Sequence, residues 1–445
     1  MLTKLAGIAK VARERPQEKF TSLAHLINEE MLTICHKEMD GKKAAGIDAV
    51  TKQTYDKNLE PNLKDLVQRM KRHAYRPQPA RRTYIPKPGT NKQRPLGIPA
   101  YEDKLVQAAL AKILTAIYEQ EFLDSSFGFR PNRSCHDAIK VLNSILMRRP
   151  INYIVDVDIK GFFEHVNHDW MIKFIEHRIQ DPNIIRLIKR FLKAGTMEEG
   201  IKYDTIEGTP QGGLVSPVIS NIYLHYVIDL WFEKYVRKQC LGAAFMVRYA
   251  DDNIFCFESK AEANAFYKAL PERLSKFGLE ISAEKSKIIA FGRNARKKDH
   301  NDGNGSGGKP ETFDFLGFKH YCSKNRNGKF RVKRKTSSKK FRASLLRFKL
   351  WIQENRHMPM EVLMKKLGRK LQGYYQYYGI TDNTEMMRKF LDELRRHLFK
   401  NLNRRSQIRS YNWGKFPLLL RKYPLPRPKI YVNIFELRDE IGYIM

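Results

Sequence analysis

Three aspartates in this sequence have the residue type and the placement needed to hold a divalent cation. Asp158 ends the apolar run INYIVDVD, and Asp251 and Asp252 lie in YADD between two further apolar runs. Burying acids at the ends of core strands costs free energy unless a cation offsets their charge. Carboxylate oxygens suit Mg²⁺, and two Mg²⁺ ions about 3.5–4 Å apart can act in phosphoryl transfer. The alternative is that Asp251, Asp252 and Asn253 form only a polar hairpin turn, which Asp and Asn favour.

The apolar patterns around these aspartates predict the elements that carry them. INYIVDVD is typical of a buried strand that ends near Asp158 and leads into a helix, and AAFMVRYADDNIFCFES predicts a hairpin. Between them, GTPQGGLVSPVISNIYLHYVIDLWFEKYV predicts a Gly-rich loop followed by a long helix. Because hairpins rather than strand–helix–strand crossovers carry the acids, we expect an α+β fold with an antiparallel sheet.

Much of the remaining chain has helical spacing. Helices are predicted at Leu59–Arg72, at Asp103–Glu121, over 169–196, over 261–278, and from Phe341 to about Arg405. RRTYIPKPGTNKQRPLGIP predicts a basic hairpin with its tip at Gly89-Thr90-Asn91, and Phe313–Tyr321 with Lys329–Lys333 predicts another. Residues 406–445 are basic and interrupted by proline, and we predict them to be irregular.

Composition restricts the class of protein. The 445 residues include 82 Lys and Arg against 48 Asp and Glu, and the net charge of +34 predicts a polyanionic partner. The five cysteines are scattered, so neither a zinc finger nor a disulfide scaffold is expected. Neither an apolar run of about 18 residues nor a signal-peptide core is found. We therefore expect a soluble, cytoplasmic protein that handles nucleic acid and has no membrane partner.

The positive charge is concentrated toward the C-terminal end. Residues 321–430 contain 30 Lys and Arg and 6 Asp and Glu, and residues 321–350 contain 12 basic residues and no acid. A short basic run is ordinarily a solvated face, but like charges repel over so long a segment unless an anion compensates them. The segment therefore predicts a phosphate-binding surface. The residues assigned to it are Lys333, Arg334, Lys335, Lys339 and Lys340.

An ordered set of motifs resembles a known family. Tyr249-Ala250-Asp251-Asp252 resembles the YxDD box of reverse transcriptases, and DIKGFF from Asp158 resembles their first palm motif. GTPQGGLVSP, which begins at Gly208, resembles the loop and helix between the two. RPLGIPAYEDKLVQAAL, FGFRPNRSCHDAI, VRYADD, EKSK and FLGF make the chain similar to bacterial group II intron reverse transcriptases, or maturases, over residues 20–430.

The resemblance implies a right-hand polymerase with fingers, a palm and a helical thumb. It implies that Asp158 and Asp251 hold two Mg²⁺ ions, with Asp252 as a supporting carboxylate, while a primer 3′-OH attacks the α-phosphate of a dNTP. The implied domains are an N-terminal extension with template-binding helices (1–75), fingers and palm (76–320), a thumb or maturase domain (321–405), and a basic tail that could be a reduced DNA-binding segment (406–445).

A dNTP site is also implied by the resemblance. Phe163 takes the position of an aromatic residue that excludes a ribose 2′-OH, although by residue type alone a core Phe is the simpler interpretation. Lys87 and Arg94, on the two arms of the basic hairpin, would hold the triphosphate. Other basic residues nearby could do so instead, namely Arg81, Arg82 and Lys92.

Three further residues are assigned to the same site. Gln211 and Gly212 would pack against the nucleotide, since glycine lets the backbone approach a ligand closely, or they would only punctuate a loop. Lys285, in EKSK, would approach the leaving pyrophosphate, or it is an ordinary surface lysine.

The implied partners are an RNA template with a DNA primer, group II intron RNA and target DNA. Lys42 and Lys43, in GKKAAGIDAV, would meet template phosphates, and Arg130, in FGFRPNRS, would contact the template or the fingers. The tyrosines of LQGYYQYYG would pack the thumb core or stack on bases. The oligomeric state is left open.

The predicted function is an RNA-directed DNA polymerase that also binds intron RNA as a maturase and supports splicing and target-primed mobility. One alternative is an RNA-binding splicing cofactor with secondary polymerase activity. Another is a reverse transcriptase adopted by its host for defence, spacer acquisition or repair. Many group II proteins end in an HNH endonuclease with cysteine pairs, which this sequence lacks, so we expect no second-strand cleavage.

Overall fold

The computed structural model describes residues 1–86, 93–204, 207–208, 212–294, 310–405 and 411–437. The described residues form two compact units. The first contains those within Met1–Pro86, Lys92–Ala138 and Val155–Ile288, and the second contains those within Ile139–Ile154 and Ile289–Met445. Helices and both parallel and antiparallel strand pairs occur, so the predicted α+β class is confirmed.

The helices follow the apolar spacing of the sequence closely. The predicted helices at 59–72, 103–121 and 261–278 are confirmed as α4, α5 and α11. No described helix combines the length and the apolar character needed to cross a bilayer. The helices are α1 (Leu2–Glu14), α2 (Glu29–Glu38), α3 (Lys52–Asp56), α4 (Leu59–Lys71), α5 (Tyr101–Tyr118), α6 (Cys135–Arg148), α7 (His168–Glu176), α8 (Pro182–Lys193), α9 (Ser216–Leu224), α10 (Arg237–Gln239), α11 (Lys260–Ser275), α12 (Ser338–Asn355), α13 (Met360–Tyr378), α14 (Thr384–Leu402) and α15 (Lys415–Lys422).

The strands form three sheets. Their orders are β2-β1-β4-β5, β6-β7-β3-β8 and β11-β10-β9. The strands are β1 (Ala80–Pro86), β2 (Gln93–Ile98), β3 (Tyr153–Asp158), β4 (Thr196–Glu198), β5 (Ile201–Tyr203), β6 (Ala244–Tyr249), β7 (Asp252–Phe257), β8 (Lys287–Ala290), β9 (Phe313–Phe315), β10 (Phe318–Lys324) and β11 (Phe330–Thr336).

One predicted helix is interrupted. The prediction of a single helical stretch over 169–196 is wrong, because the chain forms α7, breaks, forms α8 and enters β4 at Thr196. The Asp181 carboxylate accepts hydrogen bonds from the Asn183 and Ile184 amides, and Pro182 begins α8. An Asp cap followed by proline favours a new helix start over continuation of the old one.

The basic hairpin is confirmed for its described arms and is part of a larger sheet. β1 pairs antiparallel with β2, from Arg81 opposite Ile98 to Pro86 opposite Gln93. β4 pairs parallel with β1, and β5 pairs with β4. β4 and β5 were not predicted, because each has three residues, too few for alternation to be detected.

The second unit has a three-stranded sheet and three long helices. β10 pairs antiparallel with both β9 and β11, and α12, α13 and α14 account for the predicted helical region. Tyr374, Tyr375 and Tyr378 on α13 are buried, and the Tyr374 ring stacks on Phe390 of α14 at 3.8 Å. These three tyrosines therefore pack the core of the unit rather than stacking on bases.

The C-terminal segment is more ordered than predicted. The prediction that residues 406–445 are irregular is wrong for Lys415–Lys422, which form α15 and bury Phe416 and Leu419. Beyond it, the Tyr431 and Val432 amides donate to the Gly379 carbonyl. Proline limits regular structure here, but an amphipathic turn and backbone hydrogen bonds still fix the segment.

Candidate active site

The two aspartates of YADD lie at a tight turn between β6 and β7. Tyr249 pairs with Asp252 across the antiparallel hairpin, so Ala250 and Asp251 form a two-residue turn. Ala250 has a φ of +56°, in the left-handed region that such turns require and that Ala adopts only at a cost. Asp251 is half-buried and Asp252 is exposed. The predicted hairpin is confirmed, and it presents the two carboxylates in different environments.

The folded chain brings Asp158 close to Asp251. Asp158 ends β3, which is the neighbour of β7 in the sheet. Burial raises the pKa of Asp251, the nearby Asp158 carboxylate raises it further, and Arg94 acts in the opposite direction. Asp158 is therefore near enough to disfavour ionisation of Asp251.

The donor chemistry of this pair fits a divalent cation. The Lys285 ammonium donates to Asp158 Oδ2 at 2.6 Å, so a cation already occupies part of the space around that carboxylate. Carboxylate oxygens are the ligands that Mg²⁺ prefers, and a dication would relieve the repulsion that raises the pKa of Asp251. Within the described ranges no three His, Cys, Asp or Glu side chains converge as a metal-binding group. Asp158 and Asp251 are the two carboxylates that the fold brings near each other here.

The backbone beneath the turn is held by buried residues that were not predicted as site residues. Arg248 precedes Tyr249, the last residue of β6. It is fully buried and forms an ion pair with Asp229. The signal in the sequence is a charged residue inside the apolar run AAFMVRY, because an unpaired charge there would be expensive. Its partner could not be read from the sequence.

The residues assigned to a dNTP are only partly described. Arg94 is exposed on β2, and Phe163 is half-buried, with its ring edge-on to Phe162 at 5.2 Å. Gly212 has a φ of +116° and lies so close to the Gly97 carbonyl that a Cβ would collide with it. Glycine is therefore required there for approach to backbone. Lys87 and Gln211 lie outside the described residues, as does the hairpin tip at 89–91.

The basic residues assigned to template contact differ in exposure. Lys42 and Lys43 are exposed on a loop whose Ala44 and Ala45 carbonyls accept hydrogen bonds from Lys104 and Arg81. That loop is therefore anchored while its lysines face solvent.

Arg130 has a structural environment. Its side chain is 2% exposed and forms an ion pair with Glu119 at 2.7 Å. It also donates to the Leu123 and Ser126 carbonyls at 2.6 and 2.8 Å. Direct contact with a template would require these hydrogen bonds to break.

The basic residues assigned to the second unit alternate along β11. Lys335 is exposed and Lys333 is half-buried, whereas Arg334 between them is fully buried. Lys339 and Lys340 are exposed in the first turn of α12. Strand alternation explains the difference, since neighbouring side chains point to opposite faces of a sheet.

Comparison with known proteins identifies the family to which the chain belongs. A family model described as reverse transcriptase (RNA-dependent DNA polymerase) matches residues 85–320, more than half of the chain. The chain therefore belongs to the reverse transcriptase family, whose members depend on a metal ion. A second model, described as the group II intron maturase-specific domain, matches residues 339–416. The chain thus combines a reverse transcriptase domain with the maturase-specific domain of group II introns.

Individual relatives agree with this family. The chain is 40% identical over 222 residues to the group II intron-encoded protein LtrA of Lactococcus lactis, a match that covers 50% of this chain and 37% of LtrA. It therefore matches little more than a third of LtrA's length. It is 31% identical to protein YkfC of Escherichia coli, over 66% of this chain and 80% of YkfC. A solved structure of telomerase from Candida albicans, in complex with a telomeric RNA fragment, covers 83% of this chain and 65% of its own at 12% identity and a TM-score of 0.45.

Proposed function

We propose that this protein is an RNA-directed DNA polymerase that also binds group II intron RNA as a maturase and supports splicing and mobility by target-primed reverse transcription, acting in the cytoplasm. The observation that carries the polymerase proposal is the pair Asp158 and Asp251: burial raises the pKa of Asp251, and the nearby Asp158 carboxylate raises it further. A folded chain tolerates such repulsion more easily when a cation is bound between the acids.

In the proposed reaction the 3′-oxygen of a DNA primer, paired with an RNA template, forms a bond to the α-phosphorus of a dNTP. The 3′-hydroxyl gives up its proton to solvent, the bond from that phosphorus to the pyrophosphate oxygen breaks, and pyrophosphate leaves. Asp158 and Asp251 would hold two Mg²⁺ ions, with Asp252 as a further ligand. Bound metal would activate the primer hydroxyl and offset the negative charge that develops on the phosphate.

Other side chains of the first unit would bind and select the nucleotide. Arg94 is close enough to Asp251 to influence its pKa, which suits a guanidinium that binds the triphosphate. Lys87 would assist it, Phe163 would exclude the ribose 2′-OH, and Gln211 with Gly212 would border the nucleotide. Lys285 would move from Asp158 toward the leaving pyrophosphate when metal binds.

The nucleic acids would follow the basic surfaces. Lys42 and Lys43 would contact the RNA template, and Arg130 would support the fingers beneath it. Target DNA would bind the C-terminal tail. We also propose that the chain divides into domains at residues 75, 320 and 405. The maturase role is supported by the match of residues 339–416 to the maturase-specific domain. The exposed Lys335, Lys339 and Lys340 and the half-buried Lys333 would contact intron RNA, and Arg334 would hold β11.

The experiment is extension of a DNA primer on an RNA template with Mg²⁺ and dNTPs. We expect the native protein to extend the primer, and Asp251→Ala to lower the rate by on the order of 10³-fold because several kcal/mol of charge stabilisation are lost. Asp169→Ala, which removes an exposed acid from α7, is the matched control and should retain activity. Failure of the native protein to extend, or equal rates for Asp251→Ala and the native protein, would contradict the polymerase proposal.

A further inference from the structure

Arg248 is a fully buried cation in the β6–β7 hairpin of the first unit. It has no solvent exposure, and neither has Asp229, with which it forms a two-point ion pair. Nε donates to Asp229 Oδ1 at 2.7 Å and Nη2 donates to Oδ2 at 2.5 Å. Burial alone would raise the pKa of Asp229, but Arg248 and the nearby His225 together hold that pKa below its usual range. Asp229 is therefore held as a carboxylate beside the Arg248 guanidinium.

A buried ion pair of this kind gives little net stability, because desolvation cancels much of the attraction. The structural role of this ion pair depends on the guanidinium nitrogen that does not bind Asp229, which is Nη1 of Arg248. Arg248 Nη1 donates to the Ala250 carbonyl at 3.1 Å, and so binds the backbone of the turn that carries Asp251. The same nitrogen donates to Asn221 Oδ1 at 2.9 Å.

Asn221 extends the contact to a second loop. Its Nδ2 donates to the Gly128 carbonyl at 2.7 Å, and Gly128 lies so close to the Ala250 amide that a Cβ there would collide with it. The Arg248 amide donates to the Ser125 carbonyl at 2.8 Å, and the Phe127 amide donates to the Arg248 carbonyl at 2.9 Å. The loop that contains FGFR thus braces the turn.

The helix that supplies Asp229 has an unusual local geometry. α9 continues into a π-helical turn at His225–Asp229, and Asn221 lies on α9 itself. A π-turn shifts the side-chain register of a helix, and such turns recur at functional sites. Asn221 and Asp229 both reach Arg248 from this continuous segment, although they are eight positions apart in the sequence.

We infer that Arg248, Asp229 and Asn221 are positioning residues that fix the left-handed turn at Ala250 and thereby the place of the Asp251 carboxylate. The inference rests on the proposed polymerase function, because its consequence for activity depends on Asp251 acting in nucleotide transfer. Geometry at a reacting centre is sensitive, and a misplacement of about 1 Å can cost on the order of 10²-fold in rate.

Two variants test the inference. Arg248→Lys keeps the charge but cannot bind Asp229 at two points and also reach the turn, since lysine has a single ammonium group. Asn221→Ala leaves the ion pair intact and removes the hydrogen bonds of Asn221 with Arg248 Nη1 and with the Gly128 carbonyl, so it tests the positioning role even if Arg248→Lys does not fold. The matched control is Arg178→Lys, which alters another buried arginine of the same unit, paired with Glu121 and distant in sequence from the turn.

Two readouts are needed, one of them independent of catalysis. We expect kcat for single-nucleotide addition to fall by about 10- to 100-fold in both variants, with KM for the dNTP changed by less than about twofold. Hydrogen–deuterium exchange should become faster at the Arg248 and Phe127 amides in both variants. Arg178→Lys should leave kcat and the exchange of these two amides at native values, even where it lowers the melting temperature.

The outcomes separate the two proposals. Native kcat and native exchange at these amides in a folded Asn221→Ala variant would overturn the positioning role. Equal losses of kcat in Arg178→Lys would also overturn it, because general destabilisation would then explain the effect. If the native protein extends no primer, the proposed function fails, while the exchange measurement still decides whether these residues hold the turn.

Discussion

Each of the two units contains a fully buried arginine, and the two arginines differ in how their charge is balanced. Arg248 in the first unit is matched at two points by Asp229, which is also fully buried. Arg334 in the second unit donates to Asn143 and to the Val332 carbonyl, and its nearest acid, Asp382, is 3.9 Å away. Among the described residues, Nε and Nη1 of Arg334 have no hydrogen-bond partner.

In the second unit, one carboxylate lies near two arginines. Asp382 accepts a hydrogen bond from Arg331 at 2.6 Å, so one carboxylate serves two arginines. Burial lowers the pKa of Arg334 to about 10. The cation excess of residues 321–430 therefore reaches the interior of this unit. The difference indicates that the first unit uses buried charge to fix backbone, whereas the second carries excess positive charge that a polyanion would offset.

Removing the acid from each pair would test this contrast most strongly. Asp229→Ala leaves Arg248 buried without a counter-ion, and we expect the free energy of unfolding to fall by about 3–5 kcal/mol. Asp382→Ala should cost about 1–3 kcal/mol, because Arg334 keeps its hydrogen bond to Asn143 and Arg331 is partly exposed. Urea unfolding followed by hydrogen exchange in each unit measures both values. Equal losses of unfolding free energy in Asp229→Ala and Asp382→Ala would show that the two arginine–aspartate pairs are equivalent.

The second prediction concerns selectivity and is confined to the first unit. Phe163→Ala should lower the preference for dNTPs over rNTPs, measured as the ratio of kcat/KM values, by about 10-fold, since a steric contact with the 2′-OH is lost. Intron RNA binding by the second unit should be unchanged. Phe162→Leu is the control, because Phe162 is buried beneath Phe163 and its loss affects packing alone. Unchanged discrimination in Phe163→Ala would remove the proposed selection.

The smallest expected effect lies on the surface of the second unit. Replacing Lys339 and Lys340 together by Gln should weaken binding of a group II intron RNA a few-fold. It should also reduce the slope of log affinity against log salt by about 1.4, the value for two released counterions. The control removes two exposed lysines of the first unit, Lys57 and Lys64, by the same change. The same shift in slope for both pairs would show that Lys339 and Lys340 contribute only net charge.

Much of the fold could be predicted because its signals are local. The helices at 59–72 and 103–121 repeat apolar residues at helical spacing, and the hairpin at 244–257 places a polar pair between two apolar runs. The motif order also indicated the family that the comparison with known proteins confirms. Short elements such as the strand β4 and the helix α15 were not predicted, because three to eight residues show little periodicity.

In the site, the acidic residues could be predicted from the sequence, but the environment of a basic residue could not. Asp158 and Asp251 stand out because each acid lies at the end of an apolar strand, and burial together with the nearby Asp158 carboxylate raises the pKa of Asp251. Arg130 looked from the sequence like a template contact, whereas its guanidinium lies among Glu119 and backbone carbonyls. A cation on a loop has the same sequence signature whether it faces solvent or closes a turn, so only burial separates the two cases.

The sequence by itself determined the acids, the elements that carry them and the uneven charge, because residue type and spacing encode these locally. The tertiary structure alone decided which groups neutralise the buried charges. Arg248 meets Asp229, 19 residues earlier, and Gly128 meets Ala250 across two different motifs. Such pairings follow from how strands and helices pack in three dimensions, where the cost of an unpaired buried charge selects the partner and periodicity does not.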